Sequence, residues 1–170
     1  GQYREQTSCA LPPLPAGQYS LRLLVSPLGF SNSSSLTVPM NVTSIMPAAG
    51  SLAGGTLVNI SGSGFSSNRQ EVTVALGGST CNVLASTPSW ISCLTAAFPG
   101  SLAASNGGTS GPLPVSIQPS VAGSALANAS APGVTFEYAA NLTPSVSSIS
   151  PGRGSTEGGT VVLIRGSGFA

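Results

Sequence analysis

Short runs of alternating apolar and polar residues dominate this chain, and they predict β-strands. In "TLVNIS" (56–61) the even-numbered residues share one face of an extended chain and the odd-numbered residues share the other. No stretch of ten or more residues carries the apolar stripe of a helix. Many short strands between clusters of Pro, Gly and Ser predict an all-β sandwich or barrel. Five later runs have the same character: 71–76, 81–85, 89–94, 113–117 and 133–138.

One strand pattern occurs twice. Residues 44–65 and 148–169 are identical at 14 of 22 positions, at an offset of 104 residues. The matches include apolar positions such as Ile60/Ile164 and Phe65/Phe169, which shared Gly and Ser content would not produce. This similarity predicts a tandem repeat of one domain. The second copy should therefore turn Val162 and Ile164 inward, as the first turns Val58 and Ile60 inward.

The two copies also share a closing "GSGF". This element lacks the lysine and the following helix of a phosphate loop. Its glycines are expected to permit a bulge or turn at which Phe65 enters the core.

Charge is scarce and changes the functional picture. Only 5% of the 170 residues are charged, five Arg and four Glu, and the net charge is +1. No basic patch for nucleic acid or for an anionic membrane is expected from this composition. No apolar run is long enough to span a bilayer, so direct membrane insertion is not predicted. Without an initiator Met or a signal peptide, the chain is expected to be a mature or excised piece.

The residues quoted above resemble the IPT/TIG family, whose immunoglobulin-like domains occur in plexins, fibrocystin-like proteins and some transcription factors. The similarity rests on "I.P..G...GGT.V.I.GSGF", then "C.V.....SWISCLT", then "VTFEY". It implies tandem immunoglobulin-like β-sandwich domains of the extracellular, fibrocystin-like kind. The resemblance divides the chain into the C-terminal part of one domain (1–40), a complete domain (41–140) and the N-terminal part of the next (141–170).

The family pattern also implies a disulfide between Cys81 and Cys93, which lie on two neighbouring predicted strands. Cys9 aligns with Cys93 through "TSCALP" and "ISCLTA", so its partner is expected before residue 1. The alternative is three buried free thiols in a cytosolic protein. Three cysteines without histidine make a poor zinc site.

Five asparagines begin an Asn-X-Ser/Thr sequon and are candidate N-glycosylation sites. Asn59 falls on the outward face of its predicted strand, and Asn41 and Asn141 fall at the predicted domain junctions. Attached glycans would help to keep a surface with so few charges soluble. The five sites are Asn32, Asn41, Asn59, Asn128 and Asn141.

The residues of known catalytic sites are missing. Without His or Asp, the chain cannot build a Ser-His-Asp triad or a histidine metal site. Glu71 and Glu137 are interpreted as solvated surface carboxylates rather than as a glycosidase pair. Trp90 is expected to be a large core residue beside the disulfide, with a sugar-stacking platform as the alternative. No enzyme activity and no cofactor are predicted.

Two functions from different classes remain. The first is a structural or adhesive repeat segment of an extracellular glycoprotein, assembled end to end into a filament or into a cell-surface or ciliary appendage. Its partners would be neighbouring copies or adjacent repeats, because a head-to-tail contact makes an open filament unless the rotation closes. The alternative is a spacer or ligand-binding ectodomain of a plexin-like receptor, with the loops at 99–132 as the local binding candidate. A DNA-binding role is disfavoured by the low positive charge.

Overall fold

The computed structural model describes residues 6–100, 109–119 and 129–169, and its regular structure is almost entirely β-strand. All six strands predicted between residues 56 and 138 are present, so the all-β prediction is confirmed. The described part contains no α-helix with the length and apolarity needed to cross a bilayer. In chain order the strands are β1 (Gly17–Leu21), β2 (Leu24–Val25), β3 (Gly29–Phe30), β4 (Ser34–Val38), β5 (Asn41–Met46), β6 (Ala49–Ser51), β7 (Leu57–Ser63), β8 (Val72–Leu76), β9 (Ser79–Ser86), β10 (Trp90–Thr95), β11 (Leu113–Pro119), β12 (Ala129–Ala139), β13 (Ser145–Ser150) and β14 (Leu163–Ser167).

Strands β5 to β12 form the middle unit and are hydrogen-bonded in the order β5-β7-β10-β9-β8-β11-β12-β6. Neighbouring strands are antiparallel, apart from the parallel pair of β12 and β6. The two ends of this order, β5 and β6, are consecutive in the chain and are separated only by Pro47 and Ala48. The sheet therefore closes around one core, as the layers of a β-sandwich do.

Strand β9 joins the two layers. Its first residues pair with β8, for example Thr80 with Ala75, and its later residues pair with β10. A bulge interrupts the second ladder, because Ser92 pairs with Ala85 while Cys93 pairs with Val83. Leu84 is the extra residue of this bulge. Such bulges bend a strand and redirect its side chains, and Leu84 is exposed here.

The core receives the inward side chains of the middle unit. Tyr138 lies among aromatic rings, with centroids 5.3 Å from Phe98 and 5.1 Å from Phe136. The Tyr138 hydroxyl donates a hydrogen bond to the Ala96 carbonyl oxygen at 3.1 Å. Burial raises the pKa of Tyr138, although the Ser79 side chain lowers it in part, so the phenol stays protonated and can donate. The core residues are Val42, Ile45, Val58, Ile60, Phe65, Val72, Val74, Leu76, Cys81, Ile91, Cys93, Val115, Ile117, Phe136 and Tyr138.

Two glycines let Phe65 turn back into this core, which confirms the prediction made for "GSGF". Gly64 adopts a positive φ of 81°, which favours glycine, and Phe65 is fully buried. At Gly62 an added Cβ would meet the Asn41 carbonyl oxygen and the Phe65 ring.

Substituting Gly62 by alanine is therefore expected to lower the free energy of unfolding by about 2 kcal/mol, because the new methyl group overpacks this corner. Gly152→Ala is the matched control. Nothing lies within 4 Å of a Cβ built there, so its effect should stay within about 0.5 kcal/mol. Urea unfolding of both variants measures the difference. Equal costs would mean that Gly62 has space for a side chain.

The second copy of the repeat folds as the first does. Strands β13 and β14 pair in the register of β5 and β7, with the same irregularity 104 residues later. The turns match in their hydrogen bonds: the backbone N–H of Ser51 donates to Thr56 Oγ1 at 3.0 Å, and that of Ser155 donates to Thr160 Oγ1 at 2.9 Å. These bonds are local, so the same sequence gives the same hairpin in both places.

Both flanking segments contact the middle unit. The backbone N–H of Ala16 donates to the Gly64 carbonyl oxygen at 2.7 Å, and Ala16 is buried. On the other side, the Leu52 N–H donates to Thr143 Oγ1 at 2.8 Å, and this hydroxyl donates to the Ala139 carbonyl oxygen at 2.9 Å. Hydrogen bonds between folded segments thus fix the chain at both junctions.

Candidate functional site

The disulfide lies inside the middle unit. Cys81 and Cys93 are joined, with their Cα atoms 5.5 Å apart, and both are buried. They sit diagonally on adjacent strands, since Cys81 pairs with Thr95 and Cys93 with Val83. The bond therefore ties β9 to β10 beside the bulge. Cys9 is an exposed free thiol in this structure, so its partner before residue 1 stays a prediction.

The second hairpin presents an uncovered apolar face. Ile60 and Phe65 are fully buried, whereas their counterparts Ile164 and Phe169 are 52% and 54% exposed. Ile164 has the same strand partner position as Ile60, so the repeated pattern is present, but the face that Val162 and Ile164 were predicted to turn inward is not buried here. In the middle unit the corresponding face packs into a core built with β8 to β12, but on β13 and β14 it is open to solvent. Exposed large apolar residues of this hairpin include Val146, Ile149, Val161, Val162, Leu163, Ile164 and Phe169.

Trp90 corrects a second expectation. Its side chain is 41% exposed, so it is not the core residue beside the disulfide. The strand alternation explains this: Ile91 and Cys93 are buried, so Trp90 lies on the opposite, outward face of β10. This signal was present in the sequence, because a residue three positions from an inward cysteine on a regular strand must face outward.

The sequons are accessible where the structure describes them. Asn32 is exposed in the loop between β3 and β4, and Asn41 is exposed at the start of β5. Asn141 is exposed in the short 3-10 turn Ala140–Leu142. Asn59 is exposed at the centre of β7, facing outward as predicted. Asn128 lies outside the described residues. Attachment of glycans at these positions stays a prediction.

The two glutamates of the middle unit lie on different elements, Glu71 in the turn before β8 and Glu137 on β12. Glu71 accepts hydrogen bonds from Ser66 Oγ at 2.7 Å and from Asn68 Nδ2 at 3.0 Å, and so closes the turn before β8. Glu137 is half-buried on β12, in the strand that pairs with β6. Within the described residues no three His, Cys, Asp or Glu side chains form a group that could hold a metal ion. Half of the 99–132 loop candidate, residues 101–108 and 120–128, lies outside the described ranges.

The structure is that of an immunoglobulin-like protein: a closed two-layer β-sandwich is followed by a second copy of its opening hairpin. The chain belongs to the IPT/TIG domain family, whose model matches residues 40–138 and 144–170.

Relatives with this domain include the fibrocystins. The chain is 35% identical over 145 residues to dog fibrocystin, which covers 82% of this chain and 3% of that protein. It is 33% identical over 162 residues to mouse fibrocystin-L, covering 94% of this chain and 3% of that protein. The chain therefore spans only a small part of the length of these relatives. Among solved structures, the full extracellular region of plexin A4 shares the fold, with a TM-score of 0.50 and 22% identity over 79% of this chain and 10% of that one.

Proposed function

We propose that this chain is a non-enzymatic structural or adhesive repeat segment of an extracellular glycoprotein. The observation that carries the proposal is the repeat: the second hairpin has the register and turn hydrogen bonds of β5 and β7, and its apolar face is the counterpart of the core face of the middle unit. An apolar face of this kind is stable in water only when other strands cover it. The middle unit provides the template for that cover, because its β8 to β12 complete the same hairpin.

We infer a domain organisation from this repeat. Residues 141–170 open a further domain, residues 41–140 form a complete one, and residues 1–40 close a preceding one. In this scheme the hairpin of β1 and β4, which is antiparallel like the pair of β11 and β12, corresponds to that pair. The covering strands come from an adjacent repeat of the same protein or from a neighbouring copy. In either case domains follow one another head to tail, which favours an elongated assembly.

An extracellular or cell-surface location is supported by three features. The buried disulfide is typical of oxidising compartments. The plexin A4 structure with the same fold is an extracellular region. Four described sequons are exposed, and glycans on them would compensate for a surface with so little charge.

Peptide mass spectrometry on native material, with and without reduction, tests the glycoprotein proposal. We expect glycans on at least two of the sequons Asn32, Asn41, Asn59, Asn128 and Asn141, and a peptide pair linked through Cys81 and Cys93. Enzymatic deglycosylation, which converts each occupied Asn to Asp, identifies the sites. Bare asparagines together with reduced cysteines would contradict an extracellular glycoprotein.

Electron microscopy of the same material tests the assembly. Elongated fibres or rods are expected, and discrete globular particles would count against an end-to-end arrangement.

The alternative is a spacer or ligand-binding ectodomain of a plexin-like receptor, which the shared fold with plexin A4 favours. In that case the same domains act as spacers between a membrane span and a recognition domain. Monomeric rods that bind a soluble ligand, without forming fibres, would favour the receptor over the filament.

A further inference from the structure

A second exposed apolar surface lies on the middle unit, on the outward face of β5, β7, β10 and β9. We call it the outer face and define it by Met46, Leu57, Leu84 and Trp90, which are all exposed. Arg69 reaches its edge, where Nη1 donates a hydrogen bond to the Leu84 carbonyl oxygen at 3.4 Å. Large apolar side chains gathered on one sheet face indicate that something covers it.

The strand register places a sequon in the middle of this face. Asn59 lies directly between Met46 on β5 and Ser92 on β10. Trp90 is opposite Ser61, so it occupies the next outward row and is a diagonal neighbour of Asn59. Diagonal neighbours on one sheet face have Cα atoms about 7–8 Å apart, within reach of an aromatic side chain. Asn59, Ile60 and Ser61 form the sequon itself.

The row that holds Trp90 is otherwise small. Its strand neighbours on that side are Ser61 and, on β5, Ser44, and both are small. An indole has a negative face that attracts the polarised C–H groups of a sugar ring, much as it attracts the positive edge of another ring. A sugar attached to Asn59 therefore has the apolar face of an aromatic ring within reach.

The second hairpin provides an internal contrast. At the offset of 104 residues Asn59 and Ser61 correspond to Leu163 and Arg165, and Met46 corresponds to Ser150. The second copy thus keeps the inward residues of the hairpin but has neither the sequon nor the methionine on the outward side. Its outward side is nevertheless apolar, because the exposed Val161 and Leu163 stand at the positions of Leu57 and Asn59, so the comparison distinguishes the middle unit by its sequon and by Met46.

We propose that an N-linked glycan on Asn59 folds back onto the outer face, with its core N-acetylglucosamine stacked on the Trp90 indole. The chain's own sugar, rather than a protein partner, then covers this side of the sandwich. The inference rests on the proposed extracellular glycoprotein and specifies what one of its glycans does. It also explains why a large aromatic side chain at position 90 lies on the surface.

Trp90 is the single tryptophan of the chain, so its fluorescence reports on this contact directly. The experiment uses the full chain secreted from a eukaryotic host, with Asn59 occupancy measured by glycopeptide mass spectrometry. Acrylamide quenching of Trp90 is compared between the secreted chain and Ser61→Ala, which removes the sequon but keeps Asn59. We expect quenching to rise about twofold in Ser61→Ala, because the stacked sugar no longer shields the indole.

Ser34→Ala is the matched control, since it removes the Asn32 sequon by the same substitution on another exposed strand. Its quenching should equal that of the unaltered chain. Enzymatic deglycosylation of the unaltered chain should reproduce the rise seen in Ser61→Ala. Agreement between the two would show that the rise comes from loss of the sugar and not from a folding defect in the variant. Loss of the glycan should also lower the melting temperature by about 4 °C when Trp90 is present, and by much less in a Trp90→Ser background.

Distinct outcomes separate this inference from the proposed function. If Asn59 carries a glycan but quenching does not change on its removal, the stacking is wrong and the glycoprotein stands. If Asn59 is bare while Asn32 or Asn41 is occupied, the inference again fails alone. If every sequon is bare, both fail. Shielding of Trp90 that persists without the glycan and grows with protein concentration would assign the outer face to a protein partner and overturn the inference.

Discussion

Replacing Ile60 by alanine should lower the free energy of unfolding by about 3 kcal/mol, whereas Ile164→Ala should cost less than about 1 kcal/mol. The two residues occupy equivalent positions in the two hairpins, so local strand propensity is matched. Ile60 is fully buried between Ile45 and Ile91 on neighbouring strands, and its truncation leaves a cavity. Ile164 is half exposed, so its truncation removes few packing contacts and leaves no closed cavity. Urea unfolding of the dilute chain measures both.

The same pair of variants also tests how the second hairpin is covered. Where the chain assembles, or where further strands follow β14, Ile164 becomes a core residue and its truncation should approach the cost at Ile60. A large cost for Ile164→Ala that is independent of concentration in the dilute 170-residue chain would show that its side chain is already buried there. That result would contradict the uncovered face on which the head-to-tail proposal rests.

Removing the disulfide by the double substitution Cys81→Ala and Cys93→Ala should lower the free energy of unfolding by about 3 kcal/mol, the loop-closure value for a bridge across a dozen residues. The bridge closes the loop of residues between Cys81 on β9 and Cys93 on β10, and so it reduces the conformational entropy of the unfolded chain. Alanine is used because both positions are buried and a serine hydroxyl would need a partner there. Denaturant unfolding with and without reductant measures the effect.

Cys9→Ser provides the control, since Cys9 is exposed and unpaired in the structure and its substitution should change stability by less than about 0.5 kcal/mol. Reductant should destabilise the unaltered chain and leave the double variant unchanged. If reductant has no effect on the unaltered chain, the two sulfur atoms are not joined in solution, and the argument for an oxidising compartment is lost.

Trp90 shows how far sequence patterns reach for a single side chain. The pattern around it correctly predicted a strand, and the family resemblance correctly indicated that Cys81 and Cys93 would be joined. The analogy with sandwiches whose disulfide connects two sheets nevertheless places the indole in the core. Here the bond connects two adjacent strands of one sheet, so the space beside it holds aliphatic side chains such as Ile91, and the large ring faces outward.

The bulge at Leu84 could not be predicted from the sequence. Nothing in "CNVLAS" distinguishes a residue that breaks the ladder from its neighbours. The irregularity arises because β9 pairs with β8 at one end and with β10 at the other, and the strand must bend between the two layers. Its position is set by partners that are distant from it in the sequence.

The sequence by itself determined the strands, the turns between them and the conformation of the repeated hairpin. These features depend on hydrogen bonds within a few residues, such as Ser155 N–H to Thr160 Oγ1, and they form alike wherever the sequence occurs. The tertiary structure alone decided which residues of the repeated pattern are buried and where β9 bends. Burial depends on strands that come from tens of residues away, so the same inward pattern gives a core around Ile60 and an open surface around Ile164.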